Sequence, residues 1–277
     1  MPLSHTATLM LERAAAGAVA ASAIAFVSRR SGSLSTSGAV ATIVVGAATA
    51  AAGWAWGALL VVYFVAAMLL TRQGRADKER LTAGVVAKGG ARDALQVIAN
   101  GGMFAMAVVL APFAPEHIGA VMRTAALGAL AASAADTWAT EIGTLYGGTP
   151  RSMLTLRRLA PGTSGGMSAM GSLAMVAGAA FIAIVARSLG LSGSVAIVTI
   201  AGVAGALADS LVGATVQERR WCPNCHKTSE QRVHDCGTAT ILAGGREWMD
   251  NDLVNLISTI VGGAVAAVLG HPLAFHA

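Results

Sequence analysis

The stretch GAVATIVVGAATAAAGWAWGALLVVYFVAAMLL, residues 38–70, contains no charged residue. As one helix its 33 residues would run about 50 Å at 1.5 Å per residue. A bilayer's hydrocarbon core is about 30 Å thick, and tilt does not absorb the difference. The stretch therefore reads as two short helices broken near Gly53. Trp54 and Trp56 suit a turn at the membrane interface, where tryptophan is enriched.

Similar apolar blocks recur along the chain. Further spans are expected at about 9–27, 94–111, 120–142, 166–186, 191–212 and 253–269, for eight in all. Glu12 and Arg13 precede the apolar run 14–27, but more membrane follows, so this run reads as a first span and not as a cleaved leader. Only 12% of the 277 residues are charged and mean hydropathy is +0.65, against about 25% charged in soluble domains. Alanine and glycine fill the blocks, and small residues let helices approach closely in lipid. The expectation is an all-α polytopic bundle, one integral membrane domain over 1–277, with residues 214–251 forming a cytoplasmic insert.

The loop charges set the orientation. With eight spans, loops 28–37, 71–93, 143–165 and 213–252 share one side and hold sixteen of the 19 lysines and arginines, Lys88 among them. The positive-inside rule places that side in the cytoplasm and both termini outside, as in a bacterial inner membrane. A seven-span count would move Arg29 and Arg30 across and weaken the bias. The net charge of +5 then reflects orientation and not nucleic-acid binding. A basic membrane face also attracts an anionic headgroup or a phosphorylated substrate.

Polar residues interrupt these spans where structure alone does not need them. In ADTWATEIG, residues 135–143, Asp136 and Thr140 share a helical face, and Glu141 can line the same cavity. Carboxylates inside a membrane protein usually face protein or water, and paired ones suit Mg2+ beside phosphates. Asp209 and Ser210 follow in a glycine-rich span that ends near Gln217; Asp209 could complete a metal site with Asp136 or Glu141. Asp250, Asn251, Asp252 and Asn255 crowd the entrance of the last span, where a helix cap needs only one of them. Two Gly-Ser-Thr stretches, one around Ser35 and one comprising Thr163, Ser164, Gly165, Gly166 and Ser168, read as helix entrances able to hold an anion. Arg92, Gln96 and Asn100 step by four down the fourth span, with Arg92 a candidate phosphate clamp. An interhelical hydrogen-bond stripe is the competing reading of those three.

All three cysteines fall between 222 and 236, which is no secreted disulfide framework. Cys222-x2-Cys225 followed by His234-x-Cys236 supplies four soft ligands in two close pairs, fitting a tetrahedral Zn2+ site of structural character.

Together the polar clusters suit phosphoryl or nucleotidyl transfer to a lipid, with Asp136, Glu141, Asp209 and Asp252 as catalytic candidates. An ion-coupled transporter is the competing class, although such sites usually lie near the bilayer midplane.

The combination of Ser33 to Gly38, Gln96 to Gly102, Asp136 to Gly143, Gly162 to Gly166, Asp209 to Gln217 and Asp250 to Asn255 resembles the DUF92 membrane proteins over nearly the whole chain. That family includes transmembrane protein 19 and a plant chloroplast phytyl-phosphate kinase. The Cys/His loop is like that of many bacterial members. What the resemblance implies is a phosphotransferase acting on an isoprenyl monophosphate, with a nucleoside triphosphate, plausibly CTP, as donor. The family is also distantly similar to membrane cytidylyltransferases, so a lipid cytidylyltransferase is a further alternative. Neither reading fixes the oligomeric state.

Overall fold

The computed structural model describes residues 5–86 and 90–271; Lys88 lies outside them. Among the described residues nine α-helices follow in order: α1 His5–Arg30, α2 Thr36–Ala52, α3 Trp54–Arg72, the short polar α4 Arg75–Thr82, α5 Ala94–Leu110, α6 Glu116–Tyr146, α7 Ala169–Ser188, α8 Val195–Thr215 and α9 Asn251–Gly270. Seven of them are long and apolar enough to cross a membrane. One of the seven, α5, reaches 20 residues only with the 3-10 turn Ala111–Phe113 that continues it; the apolar α2 stops at 17 residues, so the eight-span reading stands on counting it.

The break in the 38–70 stretch falls at Gly53, with φ at 149°, a region open essentially to glycine alone. Of the two tryptophans expected at the interface, only Trp54 is exposed. Trp56 turns inward and packs on Phe104, ring centroids 5.9 Å apart. Two residues, just over half a helical turn, carry the chain from surface to core between them.

The long α6 is the axis of the bundle, with an unbroken buried run from Ala125 to Ala135, and α5, α7, α8 and α9 pack around it. Lipid gives helices no hydrophobic reason to associate, so close approach and hydrogen bonding hold them. A Cβ on Gly205 would lie 2.7 Å from the Ser258 carbonyl oxygen, so α8 and α9 touch backbone to backbone there. The Ser258 hydroxyl donates to the Gly205 carbonyl at 2.9 Å, and that of Thr259 to Ala99 in α5 at 3.2 Å. Larger side chains, including Leu59, Phe104, Leu127, Leu130 and Ile182, fill the space between the α3, α5, α6 and α7 backbones.

Two small sheets complete the fold. β1 Arg151–Ser152 pairs antiparallel with β2 Gly166–Met167. In the 214–251 insert, β3 Arg219–Cys222 lies between β4 Lys227–Ser229 and β5 Ile241–Gly244, antiparallel to both.

Candidate functional site

Two cavities meet at the polar end of the bundle. The first, about 560 Å³, is walled largely by apolar residues of α1, α2 and α3, among them Ile24, Val45, Leu60, Val61 and Phe64. Its other end is polar, with Arg92, Gln96, Asn100, Asp136, Glu141, Asn251 and Asn255. The second, about 280 Å³, is lined by Asp136, Asp209, Ser210, Asp250, Asn251, Asp252 and Glu230 and by the turn Gly162–Gly166 with Ser168. Gln96, Asp136, Thr140 and Asn251 line both and so form the wall between them.

Each side chain has a local reason for its position. Asp136 and Thr140, four apart on α6, present one face to both cavities. Asp209 and Ser210 reach the second cavity from the last two turns of α8. Asp250 caps α9, accepting from the Leu253 amide at 3.0 Å. With the cap supplied, Asn251, Asp252 and Asn255 are left to line the cavities.

The second cavity is acidic. Five carboxylates line it, and among the described residues no lysine, arginine or histidine does. Asp209 lies close enough to Asp136 and Glu230 for their charges to repel. Its Oδ2 is buried without a hydrogen-bond partner among the described residues. A buried carboxylate oxygen without a donor, beside like charges, is a costly arrangement unless a cation or a proton joins it. The donors are hard oxygens and fit Mg2+, which takes one or two carboxylates and completes its octahedron with water and phosphate.

Glu141 takes a different part. Its Oε2 pairs with the buried Lys78 and its Oε1 accepts from Thr71 at 2.5 Å. That charge is balanced within the protein, so Glu141 does not join the expected cation site. Arg92 donates to Thr71 Oγ1 at 3.0 Å, which brings a second cation to the polar end of the first cavity.

The expected stripe on α5 is corrected in two ways. Arg92 precedes the helix, its backbone bonded to Ser33 and Ser35. Gln96 forms a capping box with Asp93 while still lining both cavities. Asn100 sits in a hydrogen-bond chain: the Ser133 hydroxyl donates to Asn100 Oδ1 at 2.7 Å and lies 2.7 Å from the Tyr63 hydroxyl. The competing reading, an interhelical hydrogen-bond stripe, describes Asn100.

The glycine turn is also not the helix entrance expected. α7 starts at Ala169, capped by Ser168, whose hydroxyl accepts from Gly171 N at 3.1 Å. Gly166 belongs to β2, and the turn before it is pressed onto the end of α8. Gly165 has φ 75°, and a Cβ there would lie 2.7 Å from Ala214 Cα, so both conformation and space demand glycine. Ser35 caps α2, accepting from Gly38 N at 3.1 Å. Gln217 is buried beyond α8. Neither Ser35 nor Gln217 lines these two cavities.

In the insert, Cys222, Cys225, His234 and Cys236 gather with one ligand atom from each, all within 4.8 Å of one another. Cys222 Sγ and Cys236 Sγ are 3.6 Å apart, and His234 Nδ1 is 3.2 Å from Cys236 Sγ. A tetrahedron with Zn–S bonds of about 2.3 Å has edges of about 3.8 Å, so this group can hold a metal ion. Hydrogen bonds with Thr238, then with His234, draw the Cys236 thiol down to about 5, and the hydrogen bond with Cys236 in turn pushes the Cys225 thiol up to about 11.

A largely apolar cavity and an acidic one that share a wall, inside a bundle of membrane-length helices, are the geometry to set beside known proteins. The family profile of Integral membrane protein DUF92 matches residues 19–263. The chain belongs to this family. Among its relatives, Protein PGR of Arabidopsis thaliana is 29% identical over 267 residues, covering 88% of this chain and 91% of the relative. Protein VTE6, chloroplastic, of the same plant is 29% identical over 245 residues, covering 85% of this chain and 65% of the relative. An uncharacterized membrane protein of Synechocystis is 27% identical over 220 residues, 78% of this chain and 74% of the relative. No solved structure matches the chain.

Two residues of this DUF92 protein, one paired with a cavity-lining acid and one lining a cavity itself, were not anticipated. Lys78, which pairs with Glu141, reads in the sequence as one more loop charge. Glu230 of the insert hydrogen-bonds the Ser164 hydroxyl across 66 positions of chain, and no local pattern marks it.

Proposed function

We propose that this DUF92 protein transfers a phosphoryl group, with Mg2+, from a nucleoside triphosphate to an isoprenyl monophosphate, giving a prenyl diphosphate. The observation that carries the reading is the pair of cavities with one wall, apolar on one side and acidic on the other. An isoprenyl chain suits the apolar cavity beside α1, α2 and α3, with its phosphate drawn to Arg92 at the polar end. The donor phosphates suit the acidic pocket, which an anion enters only with its charge balanced. Asp136 and Asp209 would hold Mg2+ there, and the ion would supply charge neutralisation for the donor phosphates.

The chain's own residues then position and orient. Asp136, facing both cavities, and Asp209 hold the cation side, with Asp252 and Asn251 at the α9 entrance completing that wall. Ser210, Thr163 and Ser164 offer hydroxyls to phosphate oxygens. The acceptor phosphate is already anionic, so its oxygen attacks the terminal phosphorus without a general base. The bond to the bridging oxygen breaks, and the nucleoside diphosphate leaves with those electrons. Such catalysis is positioning and electrostatics. Similarity to the chloroplastic VTE6 supports a lipid phosphate as substrate, since the plant enzyme of this family is one that phosphorylates phytyl phosphate. The Cys/His group is read as a Zn2+ site, and the loops around both cavities as cytoplasmic.

The test is a product analysis with purified protein in detergent, Mg2+, labelled CTP or ATP, and prenyl monophosphates of increasing length. Terminal-phosphate label in a prenyl diphosphate supports the reading and names the donor. Transfer of the nucleotide moiety replaces it with cytidylyl transfer. No transfer from intact protein across the panel shifts the account to ion-coupled transport.

A further inference from the structure

Glu230 lies between the two halves of the Cys/His group, five residues after Cys225 and four before His234, yet its carboxylate is in the polar cavity. It accepts from Ser164 there and faces Asp209 closely enough for their charges to interact. The segment carrying it is held from both sides. The Glu230 amide donates to the Val85 carbonyl at 2.7 Å and the Gln231 side chain to that of Val86 at 3.3 Å. On the other side, the Thr240 hydroxyl donates to the Gln231 carbonyl at 2.6 Å, and the Gln231 amide to Ser229 Oγ at 3.0 Å. Ser229 ends β4, which pairs with β3, and β3 ends in the buried ligand Cys222.

A loop this short buries too little to hold such an arm by packing alone, so the metal-binding cluster must fix it. Asp209 therefore has a like charge on two sides, Asp136 and Glu230, which is unfavourable unless a cation or a proton joins the group. The donor-less Oδ2 of Asp209 in the same cavity is an independent sign that a cation belongs there.

We propose that the Cys/His metal module seats Glu230 as a third acid of the divalent-cation pocket, with Asp136 and Asp209, so that loading of the module controls cation binding in the membrane cavity. The inference rests on the phosphotransfer reading only for what the cation is used for. The module then has a regulatory role beyond stability. A protein that loses its soft metal, by chelation or by thiol oxidation, loses its grip on the hard cation as well.

The test titrates Mn2+ into intact protein in detergent, followed by electron paramagnetic resonance, with the module's metal content measured by elemental analysis. Mn2+ prefers oxygen ligands and leaves the thiolate group alone. Glu230→Gln is expected to keep the module metal and to bind Mn2+ about 10-fold or more weakly. Cys225→Ser is expected to lose the module metal and to show the same weakening. Wild-type Mn2+ affinity in Glu230→Gln overturns the proposal, as does unchanged affinity in Cys225→Ser protein that has lost its metal. Where Cys225→Ser yields no folded protein, Glu230→Gln decides alone. No readout is turnover, so the proposal and the phosphotransfer reading fail on separate measurements.

Discussion

Asp136 and Asp209 carry the account's chemistry, and their amide isosteres remove charge while keeping shape. Asp136→Asn and Asp209→Asn are each expected to lower turnover at least about 100-fold, the scale of losing one well-placed electrostatic contact, with folding and membrane insertion unchanged. Wild-type turnover in either purified variant removes its assigned role. Glu230 tests the same electrostatics through pH. Burial pushes its carboxyl above the ordinary 4.5, with hydrogen bonds from Ser164 opposing in part. A raised carboxyl favours the protonated folded form, so the wild type loses stability as pH rises from about 4.5 through the raised value. Without added divalent cation, Glu230→Gln is expected to unfold at the wild-type midpoint below that window and at a higher temperature above it. Matching midpoints at every pH would contradict the burial of this charge.

Helix breaks and turns pose a different question, since their residues act through backbone geometry. Gly53→Ala places a side chain at φ 149° and is expected to cost about 1–3 kcal/mol in unfolding of the detergent-solubilised protein. Cys222→Ser removes a buried ligand, so it should strip metal from the insert and lower the unfolding midpoint by about 5 °C or more. A stable variant with undiminished metal would reject that role. Most of the membrane elements could be read from the chain because the bilayer imposes a length: an uncharged stretch too long for one crossing must break, and Gly53 is where it can. The Cys/His group was readable because ligand spacing is local. Asp209 and Asp252 stood out because an acid beside an apolar run has few structural uses. Glu230 and Lys78 did not, since their sites exist only when distant segments meet. Ser35 and Ser168 matched an anion pattern that ordinary helix caps share, and the Asp93-x-x-Gln96 spacing already carried a capping signature.

Across the bundle, function follows from what α6 separates. Its Asp136–Thr140 face, with Gln96 of α5 and Asn251 of α9, forms the wall between the apolar cavity and the acidic one, and small residues bring α8 and α9 together beside the pocket that Asp209 and Asp252 line. The turn 162–166 and Glu230 of the insert lie at that end, which the proposed orientation puts in the cytoplasm. A cysteine introduced at Thr155, in the exposed turn after β1, should react with an impermeant thiol reagent only after cells are opened; labelling in intact cells would reverse the orientation. The central claim is that the acidic pocket loads a divalent cation to pass phosphate across the α6 wall. It is tested most directly by following transfer of labelled terminal phosphate to a prenyl monophosphate as Mg2+ is titrated, with wild type beside Asp209→Asn. Transfer is expected to saturate with Mg2+ in the wild type and to be lost in the variant at every concentration. Transfer independent of Mg2+, or equal in the two proteins, would contradict it.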